Sequence, residues 1–241
     1  MIWQTVKAPW WDDKPVALVA NGPSLKGFDC GKLVGRFHIL AIKGAIFDLP
    51  FADAGIGLDM PRYMEWCHRL AKVPYPVYWA FPEIQHFRVR NVLGKNIIVL
   101  KRGGKEVPSN RADVINGGGS SGYAAIELAM HKRARQIVLL GFDYTANGGR
   151  VMHVNDTPYK ASRFQTADAW IRWARNIDNM KPALERAGAE MVNGSPASRI
   201  KAFPRMTPDE AIQHFHRLRP ARGGSVCGLP VLDPSAAGTA G

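Results

Sequence analysis

Two glycine-rich stretches, a few acids and one histidine are where this sequence could do chemistry. Asn21-Gly22-Pro23-Ser24-Leu25 places a side-chain amide, a residue without a Cβ and a hydroxyl within a few positions. Gly22 lets backbone approach a phosphate or ribose, Asn21 offers the amide, and Ser24 can cap the segment behind it. Ile115-Asn116-Gly117-Gly118-Gly119-Ser120-Ser121-Gly122 runs straight into an apolar stretch. Gly117, Gly118 and Gly119 free the backbone there. Ser120 or Ser121 caps a helix whose N-terminus carries about half a positive charge, an end suited to anions. No Gly-Lys-Ser/Thr follows, so this is not a Walker loop. A third stretch, Gly141-Phe142-Asp143-Tyr144, sets a carboxylate behind an apolar run, where it can hold a metal, bind a ribose or take a proton. Asp59, in Gly57-Leu58-Asp59-Met60, stands behind an earlier run in the same manner. On adjacent strand ends Asp59 and Asp143 would share a divalent cation such as Mg²⁺ or Mn²⁺. His153, in a polar stretch over 150–156, is a candidate general base because an imidazole titrates near neutrality. Arg111, Lys160 and Arg163 are candidate partners for phosphates. Each feature also has a plain structural reading as a turn, a linker or surface charge.

Positioning such loops requires strands that end beside one another. Short apolar runs at 16–20, 38–42, 54–58, 77–80, 96–100 and 136–140 read as buried strands, several of them closed by turn residues. A mostly buried helix over 120–132 separates the last two. Strands alternating with helices predict an α/β fold, Rossmann-like, with a mostly parallel sheet and helices on both faces. Further on, Trp170, Trp173, Ala174, Ile177, Met180 and Leu184 recur at helical spacing and predict one long helix with a core-packing face. A late strand follows at 190–192, closed by Asn193-Gly194-Ser195-Pro196. Thr207-Pro208-Asp209-Glu210 then opens a helix through Leu218. Residues 1–220 read as one nucleotide-binding domain and 221–241 as a flexible Gly/Ala/Pro-rich tail.

With 46% hydrophobic and 22% charged residues, the 241-residue chain is neither disordered nor membrane-spanning in composition. No apolar run approaches the roughly 20 residues a spanning helix needs, and the opening residues lack a secretory pattern, so the expected location is cytoplasmic. Cys30, Cys67 and Cys227 share no metal-ligand spacing and read as free thiols. The formal net charge is +12, and residues 1–60 balance six Lys/Arg against six Asp/Glu, so the whole excess lies beyond residue 60. A basic surface attracts nucleic acid or phosphorylated small ligands alike. No zinc-finger spacing, RNP-type strand or basic zipper accompanies it.

Val19-Ala20-Asn21-Gly22-Pro23-Ser24-Leu25, followed far downstream by Ser121-Gly122 and then Gly141-Phe142-Asp143-Tyr144, resembles the Campylobacter-type sialyltransferases of glycosyltransferase family 42. It is similar too to the archaeal 6-hydroxymethyl-dihydropterin pyrophosphokinases of the MptE type (domain of unknown function 115), a group that includes uncharacterised phage proteins. The first resemblance implies a nucleotide-sugar donor bound by Asn21, Gly22, Ser121 and Gly122, and the residue chemistry above adds Ser24, Gly118, Gly119 and Ser120 to the candidate nucleotide-binding residues. His153 or Asp143 would then deprotonate an acceptor, either a glycan or phage DNA. Where that family carries two tyrosines beyond the Gly-x-Asp segment, an ungapped match places Thr145 and Val151, with Tyr144 and Tyr159 nearby. The second resemblance implies diphosphate transfer from ATP, with Mg²⁺ held by Asp59 and Asp143. A non-catalytic nucleic-acid-binding protein using its basic surface is the third reading, and composition leaves all three open.

Overall fold

Val16–Val19 (β1) is buried along its whole length because both of its faces are covered: Val16 and Leu18 enter one apolar core, Ala17 and Val19 the other. A strand buried on both faces reads as a continuous apolar run rather than an alternating one. The computed structural model describes residues 3–82, 94–104, 107–147, 150–151 and 167–217. Its strands continue with His38–Ile42 (β2), Ala54–Gly57 (β3), Val77–Phe81 (β4), Ile97–Arg102 (β5), Val114–Ile115 (β6) and Gln136–Leu140 (β7). Ala146–Asn147 (β8) and Arg150–Val151 (β9) pair antiparallel as a separate ribbon, and Glu190–Asn193 is β10. Among the described residues the main sheet has eight strands in the order β10-β7-β1-β2-β3-β4-β5-β6, every pairing parallel.

Helices cover both faces, as the alternation of elements predicts. Ser121–His131 (α3), Ala167–Asp178 (α4) and Lys181–Arg186 (α5) contribute to the core on one face. Ala45–Asp48 (α1), Met60–Leu70 (α2) and Pro208–Arg217 (α6) contribute to the core on the other. In α3, residues 121–129 are all buried, since α4 lies outside it. The single long helix expected beyond residue 167 is instead two, α4 and α5, with Asn179 and Met180 between them. Pro182 near the start of α5 has no N–H to extend a helix through that point, while its fixed φ suits a first turn.

The sequence reading does not contain α1, α2, the two-residue strand β6 or the β8–β9 ribbon. Pieces of two to four residues, such as α1, β6, β8 and β9, are too short for a period to show. Cys30 and Cys67 are free thiols, as expected, while Cys227 and the 221–241 tail lie outside the described residues. Among the described residues no helix is long and apolar enough to cross a membrane.

Candidate functional site

The strand order reverses beside β1. From β1 the chain proceeds through β2 to β6 on one side, then crosses back to place β7 on the other. The crevice outside the carboxyl ends of strands at such a switch point is the usual ligand position in open α/β sheets. Here it lies between 20–25, after β1, and 141–145, after β7.

These two loops are bonded into one unit. The Ala20 N–H donates to the Leu140 carbonyl at 2.8 Å and the Gly22 N–H to the Gly141 carbonyl at 3.0 Å. The close approach that Gly22 permits is to this neighbouring loop: a Cβ there would sit 1.9 Å from Asp143 Oδ2 and 2.3 Å from the Gly141 carbonyl oxygen. Ser24 donates its hydroxyl to Asp143 Oδ2 at 2.8 Å and its N–H to the same oxygen at 3.3 Å. Its hydroxyl also shares a 3.0 Å hydrogen bond with that of Ser195, which in turn accepts the Phe142 N–H at 2.9 Å. Three strand-end loops thus meet on one buried carboxylate. Burial pushes the Asp143 carboxyl above its ordinary range, and the two Ser24 bonds oppose that shift. Asn21 turns the other way. Its Oδ1 accepts the Ala45 N–H at 2.8 Å, so the amide seats the start of α1 and ties the β1 loop to the β2 loop.

The glycine loop joins from the far edge of the sheet. Gly117, Gly118 and Gly119 have φ of 74°, 45° and 85°, three successive left-handed residues that only glycine adopts without strain. Space is equally restrictive, because a Cβ on Gly118 would lie 2.3 Å from the Tyr123 ring. Asn176 of α4 donates to the Gly118 carbonyl at 2.9 Å, and Ser120 accepts the Tyr123 N–H at 3.2 Å as the helix cap. The Ser120 hydroxyl is also 3.1 Å from the Tyr144 hydroxyl, which brings the N-terminus of α3 against the loop after β7. Tyr144 itself has φ 49°, and burial raises its phenol to about 12, so it stays a neutral hydrogen-bonding group.

With Tyr123 capped, helix geometry leaves the Ser121 and Gly122 N–H groups without intrahelical acceptors. The Ser121 hydroxyl is buried and has no partner among the described residues. Two orphan donors, an unpartnered hydroxyl and the positive end of α3 form an arrangement that can hold an anion.

Glu127, two turns into α3, holds this loop in shape. It is fully buried and accepts from the Ser109, Asn116 and Gly117 N–H groups, at 2.7, 2.9 and 3.1 Å for the shortest contact of each. Desolvation pushes its carboxyl above the ordinary value, with those three donors opposing. Nothing in the local sequence marks this acid as different from a surface glutamate except its place in an otherwise apolar helix. In the sequence Ser195 reads only as part of a closing turn. Its signal was that β10 also ends at the carboxyl edge, which becomes informative once the strand order is known.

The structure brings together Gly22, Ser24, Gly118, Gly119, Ser120, Ser121, Gly122 and Asp143, and it does not bring Asp59 to them. Strands β3 and β7 are not neighbours: β1 and β2 lie between, so their ends stand about 14 Å apart at ~4.8 Å per strand. The shared-cation expectation for Asp59 and Asp143 is corrected on that ground. Asp59 instead pairs with Lys43 at the head of α2. Among the described residues no group of three His, Cys, Asp or Glu is placed to hold a metal. Arg111 is committed to Asp113 at 2.7 Å. His153, Lys160 and Arg163 lie outside the described residues.

No family model and no curated protein sequence matches the chain. Among solved structures, the MAf glycosyltransferase from Magnetospirillum magneticum AMB-1 superposes with a TM-score of 0.54 at 16% identity, over 88% of this chain and 38% of that one. The chain therefore spans well under half the length of that protein. Monomeric CstII superposes with a TM-score of 0.44 at 12% identity, over 85% of this chain and 99% of that one. At such identities the first likeness establishes a shared α/β fold, while activity has to be argued from the site.

Proposed function

We propose that the chain is a glycosyltransferase-like transferase that binds the phosphate of a nucleotide-sugar donor at the N-terminus of α3, inside the switch-point crevice. The observation that carries this reading is the convergence of the Gly117–Gly122 loop, the Gly22–Ser24 loop and the Gly141–Tyr144 loop, joined through Ser120 to Tyr144 and through Ser24 to Asp143. Donor phosphate would take the Ser121 and Gly122 N–H groups and the free Ser121 hydroxyl. The fold shared with a solved glycosyltransferase is consistent with this use of the crevice.

Within this reading Asp143 is a poor free base. Its Oδ2 already accepts two bonds from Ser24, and the loop backbone at Gly22 covers it. Its part is to hold the β1, β7 and β10 loops in register, which leaves His153 as the candidate for deprotonating the acceptor. The pyrophosphokinase alternative loses its metal pair to the strand order, and no contact favours the non-catalytic nucleic-acid reading over the first.

The test is the melting temperature of the chain with CMP, CDP, UDP, GDP, ADP and ATP, each with and without Mg²⁺ or Mn²⁺, because a ligand that binds only the folded state stabilises it. A cytidine, uridine or guanosine nucleotide is expected to raise it, and Ser121→Asp, which puts a fixed negative charge at the anion site, is expected to remove the rise. Stabilisation by ATP with Mg²⁺ alone, or a rise that survives Ser121→Asp, would refute the assignment.

A further inference from the structure

At the opposite end of the sheet a second cavity, of about 790 Å³, opens beneath the N-terminal segment. His38 and Ala54, the first residues of β2 and β3, line it, so it lies at the amino ends of the strands, remote from the switch-point crevice. Residues 3–11 cross this end as a strap. The Gln4 N–H donates to the Val99 carbonyl at 3.0 Å, Val6 to Ala112 at 2.8 Å and Trp11 to Lys132 at 2.7 Å. The walls are largely apolar and aromatic, with Trp3, Trp11, Tyr78 and Ile98 among them.

Lys132 is the unusual group. Lys132 lines the cavity, yet the residue is only 3% exposed. The ammonium donates to the carbonyls of Lys7 and Pro9 and lies 5.5 and 5.4 Å from the ring centroids of Trp11 and Tyr78. An ammonium has three N–H donors, and two are used. Among the described residues no carboxylate answers its charge: burial perturbs it, downward, with no neighbouring acid there to oppose the shift. Asp53 does line the same cavity, but its Oδ2 accepts the Ile39 N–H at 2.7 Å and stands 4.0 Å from His38 Nδ1. His38 Nε2 is bonded to Asp13 at 2.6 Å. With Lys7 also on the wall, the cations outnumber the acid.

We infer that this cavity binds a small aromatic carboxylate, its ring against the aromatic wall and its carboxylate on the remaining donor of Lys132. A buried cation without a counter-ion is costly, and an anionic ligand supplies the missing partner. A single negative charge fits better than a phosphate. Lys132 follows directly on the C-terminus of α3, whose partial negative charge opposes a dianion, and the wall offers neither a helix N-terminus nor an arginine fork. Volume and lining match small-molecule sites in general.

Titration calorimetry of the full chain with indole-3-acetate, indole-3-ethanol and acetate tests this. Indole-3-acetate is expected to bind saturably at one site, and the ring without the charge or the charge without the ring at least tenfold more weakly. Lys132→Met should weaken indole-3-acetate at least tenfold. Ile98→Trp, which fills the cavity from a half-buried wall position and leaves the Lys132 contacts in place, should abolish binding, and it decides the matter if Lys132→Met fails to fold. Equal binding of the alcohol, binding that survives Ile98→Trp, displacement by nucleotides, or no binding at millimolar concentration would overturn the inference.

Discussion

Replacing Glu127 separates a functional loop held by hydrogen bonds from one held merely by packing. Its two carboxylate oxygens accept three backbone N–H groups: Oε1 takes Ser109 at 2.7 Å and Asn116 at 3.1 Å, while Oε2 takes Asn116 at 2.9 Å and Gly117 at 3.1 Å. In Glu127→Gln one oxygen becomes an NH₂. With the amide oxygen at the Oε2 position, Asn116 and Gly117 keep their acceptor and the NH₂ opposes Ser109; with it at Oε1, Gly117 is opposed instead. Either way one buried donor is orphaned, at ~1–3 kcal/mol, partly offset because a desolvated charge is removed, for a net loss of about 1–2 kcal/mol. Glu127→Ala orphans all three and leaves a void, for about 3–5 kcal/mol after relaxation. At ~2–4 °C per kcal/mol for a chain of this size, melting temperatures should fall by about 2–8 °C and 6–20 °C respectively.

The pH dependence gives an independent readout. Burial raises the folded-state pKa of Glu127 above its ordinary value of 4.5, so the folded state takes up the proton first. That contribution to stability is fully present below about pH 4.5 and is lost as pH rises through the folded pKa. Glutamine does not titrate, and Asp143, also raised, is common to both proteins. The stability gap between the native chain and Glu127→Gln, from urea melts followed by tryptophan fluorescence, should therefore widen from pH 7 towards pH 4.5. A glutamine variant equal to the alanine variant, more stable than the native chain at pH 7, or showing a gap that narrows in acid would refute the reasoning.

Gly22→Ala should lose about 2–3 kcal/mol in the same melts, because its Cβ meets Asp143 Oδ2 and the Gly141 carbonyl oxygen well inside contact distance; a melting temperature within 2 °C of the native chain's would show that the loops separate freely. Tyr144→Phe removes the hydroxyl bonded to Ser120 and should cost about 1 kcal/mol, while Ser120 keeps its cap on Tyr123. The variant's melting curve and its nucleotide-induced shift check this together, and an unchanged curve would remove the link between α3 and the β7 loop.

Most of the sheet and the residues worth watching were legible in local sequence patterns. Buried strands announce themselves as short apolar runs between turn residues, and that pattern located β1 to β5, β7 and β10 to within a few residues at each end. A serine cap, at Ser120 or Ser121, and the glycines before it were also legible, because capping and positive φ are local demands that a few adjacent residues must meet alone; the structure places the cap at Ser120.

Which residues become neighbours follows from the folded arrangement of the strands. Asp59 and Asp143 look alike in sequence, each behind an apolar strand, yet two strands separate their positions. Glu127 reads as any helical glutamate until the loop that wraps back onto it supplies three N–H donors. Ser195 lies 171 residues from the Ser24 hydroxyl it meets. Strand order arises from long-range packing of the two faces, and the partners of a polar group depend on that order, so no local pattern of residues encodes them.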